Sequence, residues 1–105
     1  MVKANDIATM TTGKRLGHPV RQIKNQFAKD FLKAEYDSTV SDEELEKLGS
    51  GALYRAAVEG DEKTGDFLAG QIAGMVNKEQ PAAEIIKEMF EEAEEVLQGA
   101  GRWLV

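Results

Sequence analysis

The 105 residues contain no cysteine. That excludes a disulfide framework, a thiolate metal site and a thiol nucleophile. Histidine occurs once, at His18. It has no second imidazole to share a metal and stands directly before Pro19, so it reads as a loop or capping residue. No run of 18 apolar residues occurs, and no membrane-spanning helix is expected. Lys3, Asn5 and Asp6 interrupt any apolar leader, so a cytoplasmic address is expected. A Walker loop and a GxGxxG fingerprint are both missing, and no nucleophile elbow surrounds Ser38, Ser41 or Ser50. There is no internal repeat or low-complexity linker.

What is present is ordinary for one small soluble domain. Hydrophobic residues make up 42% and charged residues 30%, which argues against global disorder. The net charge of −6 is unevenly spread. Residues 1–36 carry seven basic and three acidic side chains, and residues 37–105 carry six and sixteen. An acidic chain is a poor candidate for nucleic-acid binding. The basic first third has the right sign to meet phosphate or the acidic surface of a carrier protein, or simply to complement the acidic remainder. The acidic runs Asp42-Glu43-Glu44-Glu46 and Glu84 to Glu95 read as solvated helix faces rather than metal cages.

The pattern is mainly α, with about five helices in a single domain: an extended or loop segment over 1–18 and helices over 19–105. Ile7, Thr9, Thr11 and Thr12 suit a short β segment, broken by Gly13 and Gly17. Pro19 suits a first helical position. Val20, Ile23, Phe27, Phe31 and Ala34 then recur at three and four, predicting a helix to about Tyr36. Ser41 and Glu44 form a capping box, and Gly49 is the expected stop. A short helix is expected over Gly51–Val58, ended by Gly60. Asp66 is the expected cap of a helix from Phe67 to about Asn77. The last helix starts at Pro81. Its apolar face is Ala82, Ile85, Met89, Ala93, Val96 and Ala100, widened by Ile86, Phe90 and Leu97.

One stretch stands out: Asp66-Phe67-Leu68-Ala69-Gly70-Gln71-Ile72-Ala73-Gly74-Met75-Val76. Each glycine in a helix interior costs about 1 kcal/mol against alanine. On a helix, Ala69, Gly70, Ala73 and Gly74 form a smooth face that lets either a second helix or a flat ligand approach the backbone. Gln71 beside it offers an amide that both donates and accepts.

Three ordered stretches carry a family resemblance. They are Gly17-His18-Pro19-Val20-Arg21 with Ile23-Lys24-Asn25-Gln26 and Asp30-Phe31; Gly51-Ala52-Leu53 leading to Val58, Gly60 and Asp61; and Ala69-Gly70-Gln71-Ile72-Ala73-Gly74 with Lys78-Glu79. Together with Arg102-Trp103, they make residues 2–103 resemble the C-terminal third of the FMN-dependent enoyl-acyl-carrier-protein reductases, relatives of the nitronate monooxygenases (2-nitropropane dioxygenases). The resemblance implies the helical part of a TIM-barrel flavoenzyme without the complete barrel, since a barrel needs about 250 residues. It places Ala69, Gly70 and Gln71 against the flavin pocket of the complete oxidoreductase. There NAD(P)H would reduce FMN, and FMN the enoyl thioester, in fatty-acid synthesis. The family's catalytic histidine precedes the matched region, so His18 does not correspond to it. Asp66, Phe67 and Leu68 depart from the family pattern. Alone, the chain is expected to be catalytically silent and to bind no FMN. Its barrel-facing apolar stripes are expected to drive homo-oligomerisation, with acyl-carrier protein a partner of the parent enzyme. The alternatives are a fragment of a nitronate monooxygenase, or a non-enzymatic helical self-association module.

Overall fold

The computed structural model describes residues 2–104. The chain begins with a hairpin. β1 (Thr9–Thr12) pairs antiparallel with β2 (Val20–Ile23), with Thr9 opposite Ile23 and Thr12 opposite Val20. The connection turns at Gly13, whose φ is +82° and whose added Cβ would lie 2.4 Å from the His18 carbonyl oxygen. Only glycine fits there. The β segment expected near Thr9–Thr12 is therefore present, and its partner Val20–Ile23 is a strand where the sequence pattern predicts helix. Val20 and Ile23 fit a helical stripe as well as a strand, and pairing with β1 settles the choice.

Helix α1 runs over Gln26–Glu35 and starts seven residues after Pro19. Asn25 caps it, its side-chain oxygen accepting from the Ala28 amide at 2.9 Å. Helix α2 covers Asp42–Gly49 and has the full capping box. Ser41 Oγ accepts from the Glu44 amide at 3.2 Å, and Glu44 Oε2 accepts from the Ser41 amide at 2.9 Å. The helix runs through Gly49, and the left-handed glycine after it is Gly51, with φ +74°. One turn, α3 (Ala52–Tyr54), continues as a π-helical stretch over Arg55–Glu59 and stops at Gly60, φ +64°.

The helix expected over Phe67–Asn77 does not form. Phe67 to Ala69 is extended and lies along β2. Ile23 N–H donates to the Phe67 carbonyl at 2.9 Å, Ala69 N–H donates to the Arg21 carbonyl at 3.2 Å, and Leu68 bridges Gln22. Gln71–Met75 makes only a 3₁₀ turn. Helix α4 then spans Ala82–Gln98, as expected after Pro81, and passes into a 3₁₀ segment, Gly99–Trp103. The described residues thus contain three α-helices of eight residues or more, rather than about five, plus a two-stranded sheet.

The core is small. Phe27 and Phe31, with ring centroids 5.8 Å apart, pack with Leu45 and Ala52. Leu16, Ala34 and Val40 surround them. Helix α4 lies outside it, with none of its residues buried. The molecule is accordingly long: 58 × 35 × 20 Å, with a radius of gyration of 18.0 Å. A compact chain of this length has about 13 Å.

Candidate functional site

The candidate segment Ala69-Gly70-Gln71 is set by β2. Once Ala69 has donated to Arg21, the chain leaves the sheet at Gly70, whose backbone is extended (φ −77°, ψ 176°). The Gly70 carbonyl accepts from Ala73 at 3.0 Å and starts the 3₁₀ turn. The expected helix face of Ala69, Gly70, Ala73 and Gly74 is thus replaced by a bend. Its small residues have separate reasons. A Cβ on Gly70 would meet nothing within 4 Å, so that backbone is open. A Cβ on Gly74 would lie 2.7 Å from the Asn5 carbonyl carbon and 2.8 Å from the Asp6 nitrogen. The N-terminal segment lies directly on Gly74, while Ala73 is buried. Gln71 is exposed and makes no side-chain hydrogen bond among the described residues.

Asp66 caps no helix, because none follows. Its amide donates to the Ala52 carbonyl at 2.9 Å, and its Oδ1 is buried without a hydrogen-bond partner among the described residues. Burial pushes its carboxyl above the usual aspartate range. The neighbouring turn is polar, as expected. There Asp61 Oδ1 accepts from the Lys63 and Thr64 amides, both at 3.0 Å. The Thr64 hydroxyl, followed by those amides, holds the Asp61 carboxyl below its usual range.

Three groups that position this region carried no clear signal in the sequence. Asn25 both caps α1 and donates from Nδ2 to the Glu62 and Gly65 carbonyls at 3.0 and 2.7 Å. It thereby holds the 60–65 turn against α1. An asparagine just before an apolar-periodic run is a cap signal, masked here by the stripe that continued through it. Glu35 is buried at the end of α1, where Oε1 accepts from the Arg15 amide at 2.8 Å and Oε2 from the Gly13 amide at 3.3 Å. Arg15 in turn bonds the Glu35, Asp37 and Val40 carbonyls and pairs with Asp42 at 2.9 Å. Gln22 is 1% exposed. Its Nε2 donates to Thr12 Oγ1 at 2.6 Å and its Oε1 has no partner among the described residues.

A groove of about 910 Å³ lies beside the segment without including it. Ile23, Phe67, Val76 and Ile85 give it apolar walls, with Lys24 and Lys78 at its border. Lys78 pairs with Glu88 at 3.3 Å, and Gln80 donates to the same carboxylate at 2.9 Å. Gln80 first, then Lys78, holds the Glu88 carboxyl below its usual range. His18 is exposed in the hairpin loop. Among the described residues no three His, Asp or Glu side chains converge as metal ligands, and no helix is long and apolar enough to cross a membrane.

The segment is therefore an open backbone edge at the end of a sheet, flanked by one amide side chain. It can take one side of a flat ligand; it does not enclose one. Among solved structures, the chain is similar to FabK from Thermotoga maritima. That structure matches with a TM-score of 0.82 and 33% sequence identity over 98% of this chain, and 32% of the FabK chain is covered. A methionine-to-alanine mutant of the same protein matches with a TM-score of 0.71 and 30% identity, again over 98% of this chain and 29% of its own. The chain thus spans about a third of the length of FabK. No family model and no curated protein matches the sequence.

Proposed function

We propose that this chain is one third of an FMN-dependent enoyl-acyl-carrier-protein reductase of the FabK kind, the C-terminal third, and that the parent assembly rather than this chain alone performs the reduction. The observation that carries the reading is the match to Thermotoga maritima FabK over 98% of the chain at 33% identity. It agrees with the resemblance carried by the Gly17–Asp30, Gly51–Asp61 and Ala69–Glu79 stretches.

Within that reading, Ala69, Gly70 and Gln71 form one wall of the flavin site. The fit rests on two properties of the segment. The open face of Gly70 lets a planar ring come to van der Waals distance of the backbone. The uncommitted Gln71 amide has both a donor and an acceptor to offer a polar ring edge. Bound FMN would supply the relay of reducing equivalents from NAD(P)H to the double bond of the enoyl thioester. This chain's contribution is positional: the hydrogen bonds of Phe67 and Ala69 to β2 fix where Gly70 sits. The resemblance puts the family's catalytic histidine before the matched region, so this reading leaves protonation to the rest of the enzyme.

The test is a full-length hybrid in which this chain replaces the matching third of Thermotoga maritima FabK. FMN content and NADH or NADPH oxidation with a crotonyl thioester are measured, alongside FMN titration of the isolated chain by flavin fluorescence. The hybrid should bind FMN and turn over, and the isolated chain should not quench FMN saturably. A folded hybrid without flavin overturns the proposal, and so does enoyl-thioester reduction by the isolated chain.

A further inference from the structure

Helix α4 is the largest unexplained feature of the molecule. Over 17 residues, about 25 Å of helix, none of its residues is buried. Met89 is 63% exposed, Phe90 74% and Leu97 74%. At 100° per residue, the apolar positions Ile85, Ile86, Met89, Phe90, Val96 and Leu97 span an arc of about 140°. An arc wider than about 100° is the pattern of a helix lying on a globular core; a self-associating coiled-coil seam is narrower.

Two further observations select the occupant. The first is position. Residues 82–104 are 23 of the 105. The match to Thermotoga maritima FabK covers 98% of this chain, so it leaves out only about two residues. At least part of this terminal region therefore lies in Thermotoga maritima FabK as it does here, within a chain about three times as long. The second is charge. Helix α4 carries six glutamates and one lysine. Glu92 borders the apolar arc on one side and Glu94 on the other. Two copies face to face would bring these acidic borders together, which opposes pairing. Glu88, off that arc, accepts from Lys78 and Gln80 in the segment before the helix.

We infer that the apolar face of α4 is a docking surface for the other two thirds of a FabK-like polypeptide, which would meet it with an apolar patch rimmed by Lys and Arg. This rests on the proposed function and specifies which surface joins the two parts. To test it, this chain, tagged, is co-expressed with the remaining two thirds of Thermotoga maritima FabK as a separate polypeptide. Wild type is compared with Phe90→Glu. Phe90 has no packing partner in the isolated chain, so circular dichroism of that variant alone should be unchanged. The expected result is a 1:1 complex by light scattering whose affinity drops at least tenfold with Phe90→Glu. Three results overturn the inference: no complex, a complex indifferent to Phe90→Glu, or a dimer of the isolated chain that Phe90→Glu abolishes, which would make a second copy the occupant. A Phe90-dependent complex without FMN would leave the surface standing and sink the flavin reading. Flavin binding indifferent to Phe90→Glu would do the reverse.

Discussion

Gly70 and Gly74, four positions apart in one stretch, are small for different reasons. Gly74 is small because the backbone of Asn5 and Asp6 lies on it. Alanine there forces main chain to move, and overpacking of this sort costs typically 1–3 kcal/mol. Gly74→Ala should lower the urea midpoint accordingly. Gly70→Ala meets open space and should change stability by no more than about 0.5 kcal/mol, while lowering FMN affinity in the hybrid enzyme. A Gly70→Ala variant that unfolds would show that something covers this edge. Asp66 supplies a pH prediction. Burial raises its carboxyl above the ordinary value of 3.8. The folded state therefore holds the proton to higher pH than the unfolded state. Stability from this group is fully present below the unfolded value and is lost as pH rises through the folded one. Asp66→Asn should be more stable than wild type at neutral pH, and the difference should vanish towards pH 3. Thermal melts of both proteins between pH 3 and 7 would measure it, because subtracting them cancels the opposite contributions of Asp37, Asp61 and Glu88, whose carboxyls are all held low.

At the scale of elements, single side chains join pieces that the local pattern leaves separate. Asn25 caps α1 and fastens the 60–65 turn. Losing a cap of this kind costs about 0.5–2 kcal/mol, and Asn25→Ala also strips two carbonyls of their donor. It should therefore sit at or above the top of that range in a denaturant titration and raise amide exchange in both α1 and the turn. Asn25→Asp, which keeps the acceptor and loses the donor, should relieve exchange in α1 alone. Glu35 does the same for the hairpin loop and α1, through the Gly13 and Arg15 amides. Glu35→Ala leaves the buried Gly13 amide and the partly buried Arg15 amide without their acceptor, at a cost of about 1–3 kcal/mol. The elements most legible in the sequence were the local ones. The capping box at Ser41 and Glu44 and the start of α4 after Pro81 both depend on residues within one turn of each other. The strand at Val20–Ile23 is not legible locally because its apolar residues also satisfy a helical period.

For the molecule as a whole, a radius of gyration of 18.0 Å against about 13 Å for a compact chain goes with a terminal helix that contributes no residue to the Phe27–Phe31–Leu45 core. Phe90→Glu on α4 should therefore leave the melting temperature within about 0.5 kcal/mol equivalent of wild type, whereas Phe31→Ala in the core should cost about 3–5 kcal/mol. Small-angle scattering should return the elongated shape for the isolated chain. A compact envelope would show α4 folded back onto the body and would remove the free face.

The sequence by itself determined the Ser41–Glu44 capping box and three substantial helices, although it placed the start of α1 early, missed the Asn25 cap and put a helix capped by Asp66 where none forms. It also carried the family resemblance, because ordered short motifs survive without a fold. Tertiary structure decided the rest. Whether Phe67–Ala69 is helix or strand depends on Arg21 and Ile23, more than forty residues earlier, whose free N–H and C=O groups take it up. What Gly74 is for depends on Asn5 and Asp6, nearly seventy residues earlier. Local propensity acts over a turn or two of chain, while an unpaired strand edge or a close backbone crossing is satisfied by whatever the fold brings to it.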